Sequence, residues 1–226
     1  MPTGGSAETS VVLPPTRAED VDGLPDGIAL LHHFANTEDL RGFVAHGRRL
    51  TAHDDLATPG DLERWLREHG LLDGDTPDTR VHQGHLTAAR ELRTALRAAL
   101  RQSGEDGQGD EDGRDDEDGR DGEDGRDGQG GAAAPVGYSF DVTLTAAHGA
   151  RLTISADPVH TALAHLVMAA LTATANGTWR RLRMCPAPDC QWVFYDNSRP
   201  GRARWCSPQL CGNRAKTQAY RRRRSG

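Results

Sequence analysis

Cysteine is the residue type whose placement in this chain points most directly to chemistry. All four cysteines, Cys185, Cys190, Cys206 and Cys211, stand near the C-terminal end of a 226-residue chain. They form two C-x4-C pairs separated by fifteen residues. Two close thiol pairs at that separation are a zinc-site pattern. Each pair makes a turn that directs two sulfurs inward, and the intervening loop brings the turns together. Pro186 and Pro188 shape the first turn, and Ser207 and Pro208 the second. No histidine falls inside the segment, the nearest being His165, so cysteine alone must supply the ligands. Four protein ligands fill a tetrahedral zinc and leave no open position for water, so the expected ion is one structural Zn2+. Two disulfides are the alternative. The N-terminal residues show no basic stretch followed by an apolar run, so no secretion signal is read and a cytoplasmic location is expected, where thiols stay reduced. A redox site would carry C-x-x-C.

Charge is the second signal. From Trp179 onward there are eleven arginines and Lys216 against Asp189 and Asp196 only, a net charge of +10. Four thiolates and one zinc ion bring this to about +8. A small basic module with a basic helix is the electrostatic footprint of nucleic-acid binding. Arg199, Arg202 and Arg204 in the loop and Arg221, Arg222, Arg223 and Arg224 at the tail suit phosphates, whereas Arg214, Lys216 and Gln218 could reach base edges. Asn213 and Arg214 also suit a role inside the finger, bonding to backbone near the zinc.

These residues need elements to position them. Trp192, Val193, Phe194 and Tyr195 read as a strand between the cysteine pairs, and 212–224 as a helix that begins at the last ligand. Knuckle, strands and helix make a treble-clef-like layout. Trp192, Phe194 and Trp205 are its expected core, because so short a module needs metal and aromatics to fold.

Upstream, Ile28 to Phe34 reads as a first helix. Thr58-Pro59-Gly60-Asp61 reads as the start of a second, with Thr58 as cap and Asp61 three residues on. Residues 78–101 form an amphipathic helix with Val81, His85, Ala88, Leu92, Ala95, Leu96 and Ala99 on one face. Arg90, Arg93, Arg97 and Arg101 lie on its other face, read as a solvated surface, with a binding patch as the alternative. Residues 138–154 alternate as a β-hairpin, and Asp157-Pro158 opens a mostly apolar helix running to about Ala175. The overall fold class is therefore mainly α: a helical N-terminal domain with one β-hairpin, plus the C-terminal zinc finger. The segments are a mobile leader (1–25), the helical domain (26–102 and 132–178), an acidic Gly-rich linker (103–131) and the finger with its basic tail (179–226).

The linker repeats Glu-Asp-Gly-Arg-Asp three times and carries thirteen acids against three arginines. Nothing in it offsets the entropy of ordering, so it is expected to be disordered, either as a solvating spacer or as a charge mask for the finger. Basic residues are Arg apart from Lys216, which reads as the imprint of a GC-rich bacterial genome. The longest apolar stretch, 163–175, is too short to span a bilayer, so no membrane partner is expected. No nucleophile elbow, P-loop or paired-carboxylate motif is present, so an enzyme is not expected. A small-molecule effector at the N-terminal domain and a homodimer are compatible with the sequence, and neither is specified by it.

The segment 180–224 resembles the CGNR zinc-finger family. The naming tetrad stands as Cys211-Gly212-Asn213-Arg214, within matching surroundings: Arg183-Met184-Cys185-Pro186-Ala187-Pro188-Asp189-Cys190, Trp192 to Arg199, and Arg204-Trp205-Cys206-Ser207. Such proteins carry an N-terminal ABATE domain, assigned to stress-induced transcription regulation. Phe34-Ala35-Asn36-Thr37, the helix around Asp61-Leu62-Trp65-Leu66, and Ala88 to Leu96 resemble that domain. The resemblance implies a DNA-binding transcription regulator. A zinc-dependent adaptor gripping an acidic protein partner is the alternative.

Overall fold

The computed structural model describes residues 24, 26–45, 48–73, 80–106, 135–145, 149–154 and 156–225. The leader apart from residue 24, and the acidic linker apart from 103–106, lie outside the described residues. Among the described residues five α-helices dominate, joined by four two-stranded antiparallel pairs. The chain divides into two compact units.

The first unit comprises residues up to Phe34, then 55–90 and 137–179. It holds nearly all of α1 (Asp26–Ala35), together with α2 (Pro59–Glu68) and the opening of α3 (Gln83–Asp106). Helix α2 starts where the sequence predicts. The Thr58 hydroxyl accepts from the Asp61 amide at 3.2 Å, and the Asp61 carboxylate accepts from the Thr58 amide at 2.9 Å. Two orphan donors of the first turn are thereby satisfied. Leu62, Trp65 and Leu66 form its buried face, with the Trp65 ring 5.3 Å from Phe34. The predicted hairpin is present as β5 (Asp141–Thr145) and β6 (Gly149–Thr153), pairing Val142 with Leu152.

Helix α4 (Pro158–Ala175) is capped by Asp157, which accepts from the amides of Val159 and His160. Its 18 residues reach a mean hydropathy of 1.2, long and apolar enough to cross a bilayer by length and composition alone. This corrects the shorter span read from the sequence. Val159, Ala162, Leu163, Ala164, Leu166, Ala169 and Ala173 are nevertheless buried within the protein, as in a core helix.

The second unit comprises residues 35–54, 91–136 and 180–226. Two short pairs, β1 (Glu38–Asp39) with β4 (His53–Asp54) and β2 (Val44–Ala45) with β3 (Arg48–Arg49), shape 38–54. The finger contributes β7 (Leu182–Met184), β8 (Val193–Tyr195) and α5 (Asn213–Ser225). This division cuts across the segmentation read from the sequence, because 35–54 and the later part of α3 share a unit with the finger.

The solvated-face reading of α3 is corrected by two arginines. Arg93 and Arg97 are each only 4% exposed. Arg93 makes a two-pronged pair with Asp54 at 2.7 and 2.9 Å and also donates to the Thr37 hydroxyl. Arg97 donates to the carbonyls of Ala35 and Gln191, with its Nε 3.3 Å from Glu38. A buried guanidinium is tolerated because its fixed fork of donors finds acceptors. The buried stripe runs through Leu86, Ala89, Leu92, Leu96 and Leu100, not through the alanines Ala88, Ala95 and Ala99. Helix α3 also continues to Asp106, beyond the linker's expected start at 103.

Candidate metal centre

Cys185 follows β7 and Cys190 closes the knuckle. The Cys185 amide donates to the Trp192 carbonyl at 2.9 Å, and the Cys190 amide to the Ala187 carbonyl at 2.9 Å. Gln191 completes the turn with a left-handed φ of 49°. Its side chain donates to the Pro188 carbonyl, which holds that conformation in place. Cys206 follows Trp205, and Cys211 sits in a wide π-type turn, Pro208–Gly212, that leads into α5. The Ser207 hydroxyl caps this turn by accepting from the Leu210 amide.

The four sulfurs lie within 4.8 Å of one another. Cys190 to Cys206 and Cys206 to Cys211 are each 3.6 Å. A tetrahedron with Zn–S of about 2.3 Å has edges of ~3.8 Å, so the donor set fits one tetrahedral ion. All four thiols are free rather than disulfide-bonded. Crowding drives their acidities apart in the metal-free cluster. Hydrogen bonds from Cys190 and Cys206 pull Cys185 down to about 2, and the bond to Cys185 pushes Cys190 up to about 12. Bonds to Cys185 and Cys190 push Cys206 up, and burial pushes Cys211 up. Four thiolates at this spacing would repel one another, and a divalent cation is what would offset that charge.

Trp192, Phe194 and Trp205 pack against the cysteines. A Cβ at Gly212 would stand 3.3 Å from the Trp205 ring, so glycine there allows the close approach. Two cations offset the charge of a tetrathiolate. Arg214 pairs with Asp189, stacks 3.7 Å from the Phe43 ring and reaches within 4.0 Å of the Cys211 sulfur. Arg41 lies 3.6 Å from the Trp192 ring and is held by Asp39 at 2.6 Å. Asn36 completes the support. Its amide group donates to the Val193 carbonyl at 2.8 Å and accepts from the Val193 amide at 2.9 Å, imitating a neighbouring strand.

Asn36, Asp39, Arg41 and Phe43 were not among the residues nominated from the sequence, although Asn36 lies in the tetrapeptide that carries the resemblance. Among the nominated DNA contacts, Arg199, Arg202, Arg204, Lys216, Gln218 and Arg221 to Arg224 are exposed, whereas Arg214 is half-buried in the contacts above. Asn213, a candidate for holding the finger, is exposed at the start of α5. The loop carrying Arg199 and Arg202 is pinned by buried Asp196, which accepts from the amides of Ser198 and Ala203 at 2.9 and 2.8 Å. Arg181 donates to the Asp196 and Ser198 carbonyls, and Arg183 to the Ala203 carbonyl, so these two arginines work within the finger.

A match to the CGNR zinc finger covers residues 181–224. A second match, to ABATE, described as "putative stress-induced transcription regulator", covers residues 29–189. The second match reaches into the knuckle and includes Cys185, in keeping with the shared unit that joins 35–54 to the finger. No curated protein matches the chain. The chain belongs to the ABATE family and carries a CGNR zinc finger whose four cysteines are placed to hold one zinc ion.

Proposed function

We propose that this protein is a transcription regulator whose finger binds duplex DNA through an exposed basic helix and loop, and that it is a binding protein rather than an enzyme. The observation that carries the reading is the exposure of α5. From Lys216 to Arg224 every residue is exposed, and five of those nine are basic. A helix polar on all sides has no core to serve. The finger's two acids do not neutralise it, because Asp189 is committed to Arg214 and Asp196 to the loop backbone. Cys211, placed to hold the ion, would anchor the N-terminal end of α5 on it, which leaves the basic remainder presented to a polyanion. Arg199, Arg202 and Arg204 add phosphate-suited charge, and Lys216 and Gln218 are the side chains suited to base edges. Arg214, nominated from the sequence for the same task, is better placed to support the metal.

The test is a titration of the zinc-loaded chain against labelled duplex DNA at rising salt. Affinity should fall steeply, with a log–log slope set by roughly 5–8 phosphate contacts. Replacing Arg221 to Arg224 by Ala should weaken binding to all sequences alike and flatten the slope. Absence of binding at low salt, or an affinity indifferent to salt, would favour the adaptor reading.

A further inference from the structure

The first unit holds a second group of metal-capable side chains. His85 stands in the first turn of α3, and Asp157 and His160 stand at the start of α4. Each offers a ligand atom, and these atoms all lie within 4.8 Å of one another. His85 Nε2 is 3.4 Å from Asp157 Oδ1, and His160 Nδ1 is 2.6 Å from Asp157 Oδ2. The His82 ring stacks on His85 at 3.6 Å between centroids, and the His160 ring meets His85 edge-on at 5.1 Å.

We propose that His85, Asp157 and His160 form a second metal site, a two-histidine, one-carboxylate set for a divalent cation of the zinc, cobalt and nickel class. Two imidazoles select that class over magnesium and calcium, which take oxygen ligands. The donors are held before any metal arrives. Asp157 Oδ1 accepts from the Val159 and His160 amides at 3.0 and 3.1 Å, which fixes the carboxylate. His85 is fixed by its stack on His82. The His85 side chain is 8% exposed and forms the floor, while His160 and Asp157 are 38% and 45% exposed and form an open rim. Three protein ligands with one open side leave room for water to complete a coordination sphere.

The ion takes the place of hydrogen-bonded protons. In the metal-free cluster, His160 Nδ1 bonds to the carboxylate, and His85 Nε2 is the nitrogen turned toward it. Ligation through these nitrogens moves each ring proton to the far nitrogen. At His85 this gives up a bond from the His82 amide, which is long at 3.3 Å. The bound metal then ties the start of α3 to the start of α4.

The test counts zinc ions on the full-length chain by native mass spectrometry, in buffer containing micromolar free zinc. Wild type should carry about two ions, one in the finger and one here. Asp157→Asn keeps a good helix cap but removes the carboxylate, and His160→Ala changes a partly exposed ring. Each should carry about one ion, the finger's. Thermal melting gives an independent readout. Added zinc should raise the melting temperature of wild type above that of its finger-loaded form and leave Asp157→Asn unmoved. A wild-type chain that binds one ion only would overturn the proposal, as would a second ion retained in both variants.

Discussion

Asn36 shows how one side chain joins distant segments. Its amide group pairs with both backbone polar groups of Val193, at the edge of β8, and both partners are buried. Truncation leaves a buried N–H and a buried C=O without a partner, each worth roughly 1–3 kcal/mol. Asn36→Ala should therefore lower stability by about 2–6 kcal/mol, measured by denaturant unfolding of the zinc-loaded protein. Asn36→Asp should be little better, because the carboxylate can accept from the amide but cannot donate to the carbonyl. A loss below ~0.5 kcal/mol for Asn36→Ala would show that the pairing is dispensable. The four cysteines could be read as ligands because spacing alone brings them together. Arg41 and Phe43 could not, because they reach Trp192 and Arg214 from 151 and 171 residues away and no local pattern records that approach.

At the scale of elements, the sequence was legible wherever a cap or a period marks an end. Helices α2 and α4 begin at Thr58 and Asp157 as their capping residues dictate, and the hairpin forms where alternation places it. The short pairs β1–β4 and β2–β3 were missed, because two-residue strands carry no alternation to read. The arginine face of α3 was misread for a related reason. Arginine is charged and mostly exposed, and only the fold supplies the acceptors that bury Arg93 and Arg97. The cap of α2 permits a quantitative check. Thr58→Ala should cost about 1 kcal/mol in thermal or denaturant unfolding. The cap also makes a pH prediction. Hydrogen bonds from Thr58 and Arg64 hold the Asp61 carboxyl below its ordinary 3.8. A carboxylate whose folded pKa is depressed contributes stability above the unfolded value and loses it as pH falls through the folded one. The deficit of Thr58→Ala should thus be full at neutral pH and shrink below about pH 4. A deficit that stays constant down to pH 2 would show that Asp61 takes no part.

For the whole molecule, the consequential departure from the sequence reading is where the finger's unit ends. A boundary at Trp179 implies a finger that loses its fold alone when zinc is removed. The compact unit instead joins 180–226 to 35–54 and to α3 beyond Glu91. The joining contacts converge on the metal centre: Asn36 on β8, Arg41 on Trp192, Phe43 on Arg214, and Arg97 on the Gln191 carbonyl. Ligation and folding are coupled in modules of this size, so removing the ion releases the knuckle and with it the partners of these side chains. Chelation of zinc should therefore abolish hydrogen-exchange protection in 182–224 and also raise exchange in 36–45 and 48–54. The amides of α2 and α4, which belong to the first unit, should keep their protection, because local opening follows cooperative units rather than chain order. Cys206→Ser should reproduce the chelated pattern without a chelator. The informative peptides are those covering Asn36 to Val44. If they exchange at the same rate with and without zinc while the finger opens, the finger is an independent module and the shared unit has no energetic meaning. If they open together with the finger, zinc occupancy reaches the N-terminal half of the chain through Asn36, Arg41 and Phe43.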